Sequence, residues 1–89
     1  MENYQLPIDA NWDTADIIAV ANLVDDVLSV YEDGVRRNKF LKDYAAFKAV
    51  MPAMSEQKQF DRDFKRQTGH QIYQTAQWVS NQKGELVKR

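Results

Sequence analysis

His70 is the single histidine of an 89-residue chain that has no cysteine. Imidazole catalysis needs a nucleophile or an orienting acid within reach. The sequence places none beside His70, which follows Gly69 at a helix end, where an imidazole caps carbonyls or faces water. Asp9, Asp13 and Asp16 lie close enough in sequence to suggest ligands for a hard cation. They lack the glycine and the twelve-residue ligand pattern of a calcium loop. Helix capping and the helix dipole account for two of the three. Gly34, Gly69 and Gly84 are the only glycines and each stands at a helix end, so there is no phosphate-cradling loop. Without cysteine, neither a disulfide framework nor a thiolate zinc site is available. These residues point to a chain that is not an enzyme and carries no metal or cofactor.

The basic side chains make a different case. Lys58, Arg62, Lys65 and Arg66 fall in "SEQKQFDRDFKRQTG", the second of two helical segments joined by the short turn "PAM". That arrangement imitates a helix-turn-helix, with the four cations on the reading helix. Glu56, Asp61 and Asp63 share the helix, however, and the pI is about 5.7. A phosphate-reading face needs a net positive stripe, so nucleic-acid binding is the alternative, not the leading expectation. The net charge of −1 hides a division of the chain. Residues 1–33 hold eight acids and no Lys or Arg, while residues 34–89 hold twelve Lys or Arg and five acids. Either an acidic first element lies against basic later ones, or the surface is dipolar and steers a charged partner.

The elements that must position these groups are helical. In "DTADIIAVANLVDDVLSVYEDG", Ile17, Val20, Ala21, Val24, Val27, Leu28 and Tyr31 form one stripe at helical spacing. Asp13 is the expected N-cap, Trp12 and Ile17 the pair of a hydrophobic staple, and Gly34 the stop. Ala19, Leu23 and Val30 add a second apolar strip, so this helix is apolar over more than half its girth and must be surrounded. Membrane binding is not expected, because the most apolar helix is also the most acidic. No apolar run is long enough to span a bilayer, and "MENYQLPID" has no signal-peptide pattern, so the expected compartment is the cytoplasm.

A second helix, "NKFLKDYAAFKAVMP", presents Phe40, Tyr44, Phe47 and Met51, with Asn38 as N-cap and Pro52 as terminator. The third, capped by Ser55 and closed by Gly69, offers only Phe60 and Phe64 to a core, and Asp61 and Lys65 make an i,i+4 pair on its side. Ile72, Ala76 and Val79 predict a short fourth helix, with Trp78 off the stripe. Residues 80–89 are expected to fray. Upstream, Tyr4, Leu6 and Ile8 alternate with polar residues, and Pro7 favours an extended chain. Residues 1–12 are read as a strap that covers a groove between helices.

"YQLPIDANW", the acidic helix ending "YEDG", then "YAAFKAVMP", "SEQKQFDRDFKRQTG" and "IY" together resemble the bacterial uncharacterised protein family 0223 of the UPF series. The likeness runs from Tyr4 to Tyr73. It implies a small, all-helical, cytosolic bacterial protein and assigns no catalytic or binding residue to these positions. The expectation is one all-α domain over residues 1–89, a small bundle of three main helices plus a short fourth with an extended N-terminal strap. Its expected role is non-catalytic, a protein-interaction or regulatory module. Leu23, Val30 and Trp78 are the candidate partner contacts, because periodicity leaves them outside the core, and the first helix is the candidate homodimer face.

Overall fold

The first helix starts where the sequence supplies a cap. In the computed structural model, which describes residues 5–89, α1 runs Thr14–Val30. The Asp16 amide donates to Asp13 Oδ1 at 2.8 Å and the Asp13 amide donates to Asp16 Oδ2 at 3.3 Å, a reciprocal capping box. At the far end, Gly34 takes φ +94° and its amide donates to the Ser29 carbonyl at 2.7 Å, turning the chain back.

The next elements follow at once: β1 (Val35–Arg36), α2 (Arg37–Val50), α3 (Met54–Thr68), α4 (Ile72–Ser80) and β2 (Leu86–Val87). β1 and β2 pair antiparallel, with Val35 opposite Val87 and Arg36 opposite Leu86. The C-terminal tail, expected from its sequence to fray, is therefore held in place. Val87 is buried, and the Arg89 amide donates to the Val30 carbonyl at 2.7 Å, satisfying an orphan carbonyl at the end of α1.

The same pairing moves the start of α2. Asn38 lies inside the helix, not at its cap. The Arg37 amide donates instead to the Glu85 carbonyl at 2.8 Å, so the returning tail replaces a side-chain cap. Arg37 in turn reaches the end of α4, donating from Nη2 to the Ser80 carbonyl at 2.9 Å and from Nε to the Val79 carbonyl at 3.3 Å. Ser55 likewise lies within α3, which begins one residue earlier after an extended Ala53. Gly69 ends α3 at φ +82°.

The core is one cluster. Val20, Leu23, Val24, Val27 and Val30 of α1 meet Phe40 and Phe47 of α2, Phe60 and Phe64 of α3, and Ile72, Ala76 and Val79 of α4. Buried positions on α1 advance by three and four residues, as one helical face must. That face is rotated from the expected stripe toward Leu23 and Val30, while Leu28 and Tyr31 are only half-buried. Thr75 is the buried hydroxyl among them. It donates to the Gln71 carbonyl and accepts from the Tyr31 hydroxyl, each at 2.6 Å. α3 contributes the two phenylalanines that its thin stripe promised, with Phe60 edge-on to Phe47 at 5.5 Å.

The N-terminal segment acts as a strap only in part. The Gln5 amide donates to Gln67 Oε1 at 3.2 Å and Gln67 Nε2 donates back to the Gln5 carbonyl at 3.5 Å, which fastens the segment to α3. Leu6 and Trp12 pack against the core. Ile8, expected to cover a groove, is 61% exposed. Tyr4 lies outside the described residues.

Two glycines separate backbone strain from crowding. Both take positive φ, which costs an L side chain about 1–2 kcal/mol. A Cβ at Gly69 meets nothing within 4 Å, whereas at Gly34 it meets the Val87 carbonyl oxygen at 3.1 Å and Lys88 Cβ at 3.3 Å. Gly34→Ala is therefore expected to lower stability by more than Gly69→Ala, by about 1 kcal/mol or more, since β2 must shift. Urea denaturation of the two variants checks this. Equal losses would mean that the tail is not held against the turn.

Candidate functional site

The cation-bearing face of α3 lines an open groove. Met54, Lys58, Asp61, Arg62 and Lys65 recur at helical spacing on one side of that helix. Opposite them stand Tyr44 and Phe47 of α2 and Gln71, Ile72 and Tyr73 at the start of α4. The groove encloses about 590 Å³. Phe47 and Ile72 are buried and form an apolar floor, while Met54 is 58% and Tyr73 is 53% exposed on its walls. Lys48 Nζ lies 4.5 Å from the centre of the Tyr44 ring, a further cation beside the same site. Burial raises the Tyr44 phenol above its ordinary pKa, with smaller contributions from Tyr73 and Asp61.

Asp61 is the one acid in the groove, and it is not paired with Lys65 as its spacing suggested. Its carboxylate accepts the Ile72 amide at 2.6 Å and the Tyr73 amide at 3.1 Å, capping α4 from a neighbouring helix. The positive end of α4 offsets its charge. Arg62 donates to Gln59 Oε1 at 2.9 Å. Among the described residues Lys58, Arg62 and Lys65 make no ion pair, so the rim keeps a positive excess. Arg66 separates from these three. It pairs with Asp63 at 3.5 Å and borders a second cleft, of about 540 Å³, between α3 and the N-terminal segment.

The expected partner contacts on α1 need correction. Leu23 and Val30 are fully buried in the chain's own core, so the folded surface does not offer them to a partner or to a second copy. The returning C-terminal segment and the neighbouring helices close the strip that periodicity left open. Trp78 is half-buried against the core, with the Arg89 guanidinium 5.6 Å from the centre of its ring. What sequence reasoning missed is that Met54 and Tyr73 line the same groove. They sit on different helices, and no local spacing joins them.

Two other groups have chemical interest. The His70 ring stacks on Tyr31, with centroids 3.7 Å apart and planes 6° apart, which accounts for it structurally. Asp26, on α1, is almost wholly buried. Its Oδ1 accepts from Lys39 Nζ at 2.8 Å, and Lys39 also donates to Asp43 Oδ2 at 2.8 Å. Asp26 Oδ2 faces no protein donor. Burial first, and then the hydrogen bond shared with Asp43, lift the Asp26 pKa to about 7, against the opposing pull of Lys39. Asp43 moves the other way: burial acts to raise it, but Asp26 and Lys39 together hold it below the usual carboxylate range. The hydrogen bonds that Lys39 donates to both acids raise its own pKa. Below about pH 7 Asp26 therefore keeps its proton.

Among the described residues no cluster of His, Asp or Glu is placed to hold a metal ion, and no helix is long and apolar enough to cross a membrane. The fold and surface define a small all-α four-helix bundle with an apolar, basic-rimmed groove and no catalytic constellation among the described residues. The chain belongs to the family described as Uncharacterised protein family (UPF0223), which it matches over residues 3–88. A UPF0223 protein of Lactococcus lactis subsp. cremoris (strain MG1363) is 37% identical over 78 residues, covering 88% of this chain and 84% of the relative. One from Streptococcus pneumoniae serotype 19F (strain G54) is 36% identical over 84 residues, covering 94% and 90% respectively.

The Asp26 site has a definite pH signature. A folded-state pKa near 7, above the ordinary 3.8, means that the folded chain keeps a proton that the unfolded chain releases. Raising the pH through that window therefore favours unfolding, by at most about 1.4 kcal/mol per pH unit from this group. Asp26→Asn keeps an acceptor for Lys39 and a donor for Asp43 without needing the proton. Measured by urea denaturation, its stability relative to the native sequence is expected to rise between about pH 4 and pH 8. A difference that stays flat across this range would contradict the protonated pair.

Proposed function

We propose that this chain is a non-catalytic protein-binding module, and that the groove between α2, α3 and α4 takes an apolar anchor from a partner protein. The observation that carries this reading is the joint exposure of Met54 and Tyr73, 58% and 53%, on the walls of one groove with a Phe47–Ile72 floor. Single exposed apolar residues are ordinary on a protein surface. Two that converge on a cleft are what an interaction site requires. Methionine suits such a wall, because its flexible thioether adapts to the shape that enters. The compartment we propose is the cytoplasm, which a cysteine-free chain fits.

Tagged protein incubated with a lysate of its bacterial source is expected to retain a partner. Met54→Asp combined with Tyr73→Ser should reduce that recovery about tenfold, the loss expected when an anchor of ~1.4 kcal/mol is removed. Ile18→Ser, on the exposed side of α1, serves as the control and should leave recovery unchanged. Loss with the control as well, or no loss with the groove variant, removes the groove from the account.

A further inference from the structure

We propose that the partner segment is acidic: a peptide that sets one apolar or aromatic side chain on the Phe47–Ile72 floor and carboxylates against Lys58, Arg62 and Lys65. This rests on the protein-binding reading above and adds the chemistry of the partner.

Three observations select an acidic peptide. The first is position. Lys58, Arg62 and Lys65 stand at i, i+4 and i+7 along one edge of the groove, at intervals of roughly 6 and 4.5 Å along the helix axis. Two residues of an extended peptide advance ~6.6 Å, so carboxylates on alternate residues of the partner can meet successive cations. The second is charge. These cations make no ion pair among the described residues, and the lone acid between them, Asp61, is held by the Ile72 and Tyr73 amides. A bound carboxylate therefore gains a charged partner without breaking an ion pair, and Arg62, which donates one N–H to Gln59, keeps others to offer. The third is the contrast with a nucleic acid. Binding of a single strand needs aromatic faces open for base stacking and a groove that follows the backbone. One face of Tyr44 is taken by Lys48, and Arg66, which would extend the basic track, turns to Asp63 on the other flank of α3. Beyond the groove a long polyanion meets a chain of net charge −1 and pI about 5.7. A short acidic segment engages the cations without running into that repulsion.

The test is selection from a displayed library of random peptides of about twelve residues, with the full chain as bait. Enriched sequences are expected to carry several Asp or Glu around one large apolar residue. Synthesised and labelled, they should bind about tenfold more weakly when the salt is raised from ~50 to ~500 mM, because screening weakens exposed charge pairs. They should lose affinity to a similar degree on Lys58→Glu/Arg62→Glu. Both positions are solvent-exposed, so this variant keeps its fold, as circular dichroism can verify. Enrichment of neutral apolar peptides that still require Met54 and Tyr73 would overturn the acidic partner and leave the protein-binding reading in place. Failure to enrich any peptide, together with salt-sensitive binding of a labelled uridylate oligomer of about twelve nucleotides, would overturn both.

Discussion

α1 carries apolar side chains around more than half of its circumference, and an 89-residue chain has few elements with which to enclose it. Leaving such a helix half-covered would expose a large apolar patch. α2 and α4 cover two sides. The C-terminal end of α1 is covered by the tail, with Val87 buried in the same cluster as Val35 and Val30. Two residues of strand on each side suffice, because the tail also supplies hydrogen bonds to groups that a helix end leaves unsatisfied. The Glu85 carbonyl takes the Arg37 amide and the Arg89 amide meets the Val30 carbonyl. Burial and backbone satisfaction are thus served by the same few residues.

Enclosing α1 with α2, α4 and the tail leaves α3 at the periphery. It enters the core by Phe60 and Phe64 alone, both flanks stay wet, and a cleft runs along each. The groove is a consequence of this allocation of apolar surface. A helix fastened along one line presents its side faces to solvent, and whatever charge those faces carry is available for recognition. On the α4 side the charge is basic over an apolar floor. On the other flank, Asp63 pairs with Arg66 and accepts a hydrogen bond from Gln67 at 3.1 Å, and Gln67 in turn holds the N-terminal segment.

Features that depend on neighbours within about one helical turn were readable from the sequence; features that depend on distant partners were not. Asp13 and Gly69 act where their local spacing put them, and Phe40, Phe47 and Met51 face inward as their period requires. The β1–β2 pairing joins residues some fifty positions apart, and a two-residue strand is too short to show any alternation. That omission explains the fraying tail, Asn38 as a cap and Val30 as free surface, while Leu23 is enclosed in the core cluster it shares with the other helices. Asp61 follows the same rule. Its spacing to Lys65 suggested a pair within the helix, but two amides at the start of α4 hold it more strongly than one exposed ammonium can. Of the groove itself, the line of Lys58, Arg62 and Lys65 was legible, while the wall that faces it required the fold.

The uneven distribution of charge along the chain can now be placed. Had the acidic first third neutralised the basic remainder internally, ion pairs would join the two parts throughout the fold. Among the described residues the pair that does so is Asp26–Lys39, and there burial raises the Asp26 pKa to about 7, so near neutral pH its carboxyl is charged only part of the time. The other pairs, Arg36–Glu85, Lys39–Asp43 and Arg66–Asp63, lie within the later part. Burial explains why. An ion pair enclosed in the core loses more in desolvation than it gains unless every lone pair is satisfied, and the inner face of α1 is accordingly apolar apart from Asp26. Of its other two acids, Asp25 is exposed and Asp16 serves the capping box at the start of the helix. Cations without an ion-pair partner attract an oppositely charged group before contact, and Lys58, Arg62 and Lys65 lie where an apolar groove can hold what they attract.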